Sequence, residues 1–99
     1  MEKLKNYFSA LRNTLNNNKI EFESEIVLQG ILVDFHLTHS RTAIIITEKE
    51  HDHGESYHAE MVEIDHLRSC GFQVIQLPFP DYPTPDKMSE ELLRQMRLQ

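Results

Sequence analysis

Residues Ile20–Thr47, IEFESEIVLQGILVDFHLTHSRTAIIIT, alternate with a period of two through two successive stretches and close in a third that is apolar on both sides. In the first, Ile20, Phe22, Ser24, Ile26 and Leu28 fall on one face and Glu21, Glu23 and Glu25 on the other. Successive side chains of an extended chain point to opposite sides, so this is the pattern of a half-exposed strand. Gln29-Gly30 suits a tight turn, after which Ile31, Val33, Phe35 and Leu37 alternate against Leu32, Asp34 and His36. Thr38-His39-Ser40-Arg41 is short enough for a second hairpin connection. Thr42–Thr47, with Ile44-Ile45-Ile46 at its centre, predicts a central strand covered on both faces.

Outward from this block the period changes. Leu4, Phe8, Leu11 and Leu15 step by four, three and four, one stripe of an amphipathic helix. Asn16-Asn17-Asn18 is expected to end it, because Asn tolerates left-handed geometry and competes for backbone hydrogen bonds. On the other side, a charged loop over Glu48–Glu55 leads to Tyr57, Met61, Ile64 and Leu67, again at helical spacing, with Gly71 in the position that closes a helix. Phe72–Leu77 reads as a second buried strand, and strand, helix, strand in this order favours a parallel pair. Pro78, Pro80, Pro83 and Pro85 punctuate an irregular segment; Thr84 can cap a last helix with Pro85 at its first position and Met88, Leu92 and Met96 as its buried stripe. The order is α-β-β-β-α-β-α, an α/β fold with a mixed four-stranded sheet flanked by helices, expected as one domain over 1–99.

Ninety-nine residues are too few to bury two independent cores. The longest uninterrupted apolar run, Ala43–Ile46, falls far short of the roughly 20 residues of a membrane span, so no membrane partner is expected. The regular apolar spacing near the N-terminus predicts a packed helix rather than a presequence. One cysteine, Cys70, permits neither an intrachain disulfide nor a cysteine-based zinc site, in keeping with an intracellular setting. A formal net charge of −6 counts against unassisted binding to nucleic acid, because phosphate contacts need Lys and Arg and only ten are present.

Several blocks of residues carry a resemblance. Gly30-Ile31-Leu32-Val33-Asp34-Phe35 resembles the "VDF" strand that opens RAP domains and related single-domain nuclease-like proteins. Arg41-Thr42-Ala43-Ile44-Ile45-Ile46 stands where such families place "(R)-x-A-I-E-hydrophobic", and His51 where they place the histidine of "D-G-x-x-H". His66–Pro78 resembles "H-L-x-x-x-G-aromatic-x-V-hydrophobic-x-hydrophobic-P", the most distinctive block, and Phe79-Pro80-Asp81-Tyr82 follows where RAP domains carry an aromatic–acidic–aromatic tail. The resemblance runs from about Glu21 to Tyr82. It implies a restriction-endonuclease-like, PD-(D/E)XK-type core and a role in RNA metabolism, most often in mitochondria or plastids. RAP modules usually end longer helical-repeat proteins; no such repeats occur here, so the resemblance leaves open an excised domain or a free-standing relative in the mitochondrion or cytoplasm.

The departures from that pattern bear on chemistry. A metal nuclease of this core needs two carboxylates for Mg²⁺ or Mn²⁺. Asp34 stands at the first position, but the second is occupied by Ile45, and Thr47 stands where a lysine or further acid would complete the site. Asp34 and His51 are therefore the ancestral catalytic positions, expected to be inactive and without cofactor. A relocated metal site would draw on Asp34 and Glu48, with Glu50, His51 and His53 nearby in sequence; solvated charge is the plainer account of that loop. His36, two residues after Asp34, is expected on the same side of the sheet. Glu21, Glu23 and Glu25 are expected chiefly to keep an exposed strand from pairing with other chains, though one of them is placed to approach a metal at Asp34. Arg41, Arg68 and Tyr82 are the candidate nucleic-acid contacts, and a basic face of Lys3, Lys5, Arg12, Arg41 and Arg68 would offset the acidic total.

Three functions compete on these grounds. The first is a nuclease-derived pseudoenzyme that binds RNA, directly or within a larger protein assembly. The second is an active metal-dependent nuclease with an altered site. The third is a protein-interaction scaffold, including a homo-oligomer, suited by the acidic balance and the proline–aromatic segment.

Overall fold

The amphipathic N-terminal stretch forms α1 (Glu2–Asn17), followed by β1 (Phe22–Leu28), β2 (Ile31–Leu37), β3 (Thr42–Thr47), α2 (Glu55–Ser69), β4 (Gln73–Pro78), a 3₁₀ turn (Phe79–Asp81) and α3 (Pro85–Arg97). This computed structural model describes residues 2–47 and 55–97, with side chains placed for 5–47, 59–79 and 81–96. The four strands form one sheet in the order β1-β2-β3-β4. The first two pairings are antiparallel and β3–β4 is parallel, in the order expected from the sequence. No helix among the described residues is long and apolar enough to cross a membrane.

Local chemistry sets the junctions. Gln29 and Gly30 both have positive φ (52° and 81°), as the tight primed turn of a two-residue hairpin requires. Gly71 (φ 95°) closes α2, with its N–H donating to the Arg68 carbonyl at 3.0 Å and the Phe72 N–H to the Leu67 carbonyl at 3.1 Å. The end of α1 differs from expectation. The left-handed residue is Lys19 (φ 57°), not one of the asparagines, with the Ile20 N–H returning to the Leu15 carbonyl at 2.9 Å. Asn18 instead caps the helix with its side chain, Nδ2 donating to the Thr14 carbonyl at 2.8 Å. At α3, Thr84 Oγ1 accepts the Lys87 N–H at 3.3 Å, leaving Pro85 at the helix start.

The sheet carries a core on each face. On one, Leu11 and Leu15 of α1 and Met88 and Leu92 of α3 pack on Phe35, Leu37, Ile44, Ile75 and Leu77. On the other, Leu67 of α2 packs with Ile31, Val33, Ala43 and Phe72, with Ile26, Leu28, Ile45 and Val74 around them. β3 supplies both faces in strict alternation, which explains why its sequence is apolar throughout. Tyr7, 7% exposed, joins the α1 stripe; its apolar ring is buried while its hydroxyl donates to the Tyr82 carbonyl at 2.7 Å.

β1 and β2 do not keep one apolar face each. Phe22, Phe35 and Leu37 pack towards α1 and α3, whereas Ile26, Leu28, Ile31 and Val33 pack towards α2. The changeover lies between the paired rungs Ser24↔Phe35 and Ile26↔Val33. The rung it skips is Glu25 opposite Asp34, and Glu25 has a φ of 50°. Exposure still alternates as the sequence predicts, because the helix covering the ribbon changes where its face does.

Candidate functional site

Asp34 points into a cleft at the place where the β1–β2 ribbon changes face. Glu25, with its positive φ, stands opposite Asp34 where the ribbon changes face, and there Asp34 and Phe35 both face α1. The β2–β3 rungs run from Leu37↔Thr42 to Phe35↔Ile44. Beyond them Asp34 Oδ2 accepts the Ile46 N–H at 2.8 Å, a side chain standing in for a backbone carbonyl.

Above this rung lies a cleft of about 440 Å³ floored by Asp34, Glu25 and Ile46. Its wall is α1, which presents Lys5, Ser9 and Arg12 at helical spacing, with Phe8 between them stacked on Phe35 at 4.7 Å between ring centroids. Burial pushes the Asp34 carboxyl above its ordinary range and the neighbouring Glu25 charge adds to this, while the Ile46 hydrogen bond works in the opposite direction. The cleft thus combines two acids, two cations and a hydroxyl at a point of backbone strain.

The other candidates scatter. Arg41 folds back on its own surroundings: Nη2 donates to the Cys70 carbonyl at 3.1 Å and the guanidinium lies 4.4 Å from the Phe72 ring centroid. Arg68 is exposed in the last turn of α2, on the opposite side of the sheet from α1. The basic face that would offset the acidic total therefore divides, with Lys5 and Arg12 at the cleft and Arg41 and Arg68 away from it; the Lys3 side chain lies outside the described residues. Tyr82 packs half-buried beside the α1–α3 core rather than standing out for stacking, and Phe79 meets Tyr7 edge to face at 4.8 Å. Glu48 and His51 also lie outside the described residues. Among those described, no three His, Cys, Asp or Glu side chains are grouped to hold a metal ion.

Two expectations are corrected. His36 does not share a side with Asp34; its ring meets Phe72 at 5.7 Å between centroids and its Nδ1 lies 3.2 Å from Glu23 Oε1. The second is the place given to Ile45. Ile45 packs on the α2 side, and the β3 residue facing the Asp34 cleft is Ile46. Both are hydrocarbon, so β3 brings no acid to this level from either face. The acid that does arrive is Glu25 of β1. Its only signal in sequence was its place in the Glu21–Glu23–Glu25 alternation, which cannot reveal a positive φ.

The architecture is similar to a known one. The catalytic domain of the homing endonuclease I-Bth0305I superposes with a TM-score of 0.71 over 89% of this chain and 90% of that domain, at 17% sequence identity. The chain has a restriction-endonuclease-like nuclease fold. At this identity the likeness concerns the fold alone. No protein-family model matches the sequence, and no curated protein matches it. Within the nuclease fold, Asp34 and Glu25 offer the hard oxygen donors that Mg²⁺ takes alongside water and phosphate, so the pair fits part of such a ligand set.

Proposed function

We propose that this chain is a nuclease-derived, RAP-like module of RNA metabolism that holds single-stranded RNA over the Asp34 cleft without cutting it. The observation that carries this reading is the wall of α1: Lys5 and Arg12 face the cleft, and Ile46 occupies the β3 position facing Asp34. Two cations confined with low-dielectric neighbours attract phosphate more strongly than a net charge of −6 suggests, since local distribution outweighs the total. Hydrocarbon on β3 supplies nothing to orient or deprotonate an attacking water. Fluorescence anisotropy with a labelled single-stranded RNA tests it. Binding should weaken steeply with salt, and Lys5→Ala with Arg12→Ala should lower the slope of log affinity against log salt by about 0.7 per charge removed. Absence of binding at low salt overturns the reading.

The juxtaposition of Glu25 and Asp34 favours a second reading, metal-dependent phosphodiester cleavage. Asp34 and Glu25 would hold a Mg²⁺ or Mn²⁺ ion, which supplies an activated water and offsets charge on the phosphate. RNA cleavage that needs the metal and is abolished by both Asp34→Asn and Glu25→Gln would establish it. Cleavage that survives both substitutions comes from elsewhere.

A further inference from the structure

The strand reversal leaves a bare piece of sheet beside the cleft. Beyond the Glu25/Asp34 rung the β1–β2 ribbon turns Ile26, Leu28, Ile31 and Val33 towards α2, so the side chains between them face the α1 side. Those are Val27 and Leu32, paired directly across the two strands. They are 60% and 67% exposed, large apolar groups held in water by the hairpin. Val27 shares its face with Glu25, two residues along β1, and Leu32 with Asp34, two residues along β2. One continuous surface therefore runs from an apolar pair, through an acid pair about 7 Å further along the strands, to the cations Lys5 and Arg12 on the wall of the cleft.

We propose that this surface is a seat for one ribonucleotide of a single strand, with its base on Val27 and Leu32, its ribose hydroxyl on Glu25 or Asp34, and its phosphate at Lys5 and Arg12. The inference rests on the RNA-binding reading and names how that site distinguishes its ligand. The order apolar, acceptor, cationic matches the order base, sugar, phosphate along a nucleotide. Carboxylates repel phosphate but accept hydrogen bonds from a 2′-hydroxyl, the group that tells RNA from DNA. Acids in the floor of a nucleic-acid cleft thus become selective for RNA rather than merely unfavourable. Two side chains are also a small patch: a stable interface with a second copy needs about 800 Å² from each partner, whereas one base face is covered by such a pair. Among the described residues β1 is an edge strand, with no further strand flanking this side of the ribbon.

Paired RNA and DNA oligonucleotides of one sequence, titrated by anisotropy against the full chain, separate the contributions. The wild type should bind RNA about tenfold more tightly than DNA. Val27→Ser with Leu32→Ser should weaken both about tenfold while leaving the salt slope unchanged, because no charge is removed. Leu32→Tyr, which enlarges the platform, should tighten both. Glu25→Ala should erase most of the preference for RNA. The seat is refuted, with RNA binding itself intact, if the Val27/Leu32 double variant binds like wild type while the Lys5 and Arg12 variants lose affinity. Equal affinity for the two sugars refutes the carboxylate role. If sedimentation shows a dimer that the serine double variant dissolves, the patch belongs to a second copy; if the wild type binds neither oligonucleotide, both proposals fall.

Discussion

At the scale of single residues, Asp34 and Glu25 are held in states that folding disfavours and the surrounding structure imposes. Burial and the Glu25 charge raise the folded pKa of Asp34 above its ordinary value of 3.8, so as pH falls the folded chain takes up this proton before the unfolded chain does. The residue's contribution to stability therefore declines as pH rises from 3.8 through the raised folded value, and stays low above it. Asp34→Asn keeps an oxygen to accept the Ile46 N–H and removes the charge. It should raise the urea midpoint at pH 7 and leave it unchanged near pH 3; a midpoint lowered at pH 7 would show that the ionised carboxylate stabilises the fold. Glu25 carries a different penalty, because a non-glycine residue in the left-handed region is strained by about 1–2 kcal/mol. Glu25→Gly should relieve about 1 kcal/mol of this and raise Tm by roughly 4–8 °C. A thermal melt shows the gain, and the RNA titration shows what the strain maintains: the glycine variant should be more stable and less selective. Strain that persists at a cleft is the kind of outlier from which function is reasonably argued.

At the scale of elements, the hairpins and helix ends were legible because single residues with special backbone freedom mark them. Gln29-Gly30 and Gly71 announced a primed turn and a helix stop, and Thr84-Pro85 a helix start. Lys19 was not legible. Three asparagines compete for the left-handed position after α1, and only the return of Ile20 to the Leu15 carbonyl fixes which residue lies outside the helix. Arg41 illustrates the same limit for a side chain. Its position before β3 resembles a phosphate-binding arginine, yet its guanidinium ties the β2–β3 hairpin to the end of α2 through Cys70 and Phe72. Arg41→Ala should lower stability by about 1–2 kcal/mol through the lost hydrogen bond and ring contact. Arg68→Ala, on an exposed helix surface, should stay within about 0.5 kcal/mol. Denaturation curves of the two variants separate a structural arginine from a solvated one; equal values would remove the strut assigned to Arg41.

At the scale of the whole molecule, one sheet shares two cores, and each helix layer buries only part of it. Leu11 and Leu67 are fully buried on opposite faces. Each substitution to Ala should cost about 2–5 kcal/mol, a large share of the roughly 5–15 kcal/mol that holds a small domain. With no shared partner across the sheet, the two effects should add to within about 0.5 kcal/mol in a single cooperative transition. Two separate transitions in urea would mean that the faces unfold independently. The same division explains the cleft. On the β1–β2 ribbon α1 covers the part that ends at Phe35 and α2 the opposite face from Val33 on, and the half-buried Asp34 and exposed Glu25 lie where cover changes sides.

Element order, strand alternation and the positions of the turns followed from local pattern alone, since a period of two or of 3.6 and a glycine at a turn are properties of neighbouring residues. The sequence also isolated Asp34 as a lone acid in an apolar strand. Only the tertiary structure joined Glu25 to it, divided the arginines between opposite sides, half-buried Tyr82 against the α1–α3 core and exposed Val27 and Leu32 beside the acids. The physical reason is that alternation predicts a face only while a strand keeps extended geometry, which Glu25 with its positive φ does not, and that contacts between distant elements leave no local period in the sequence.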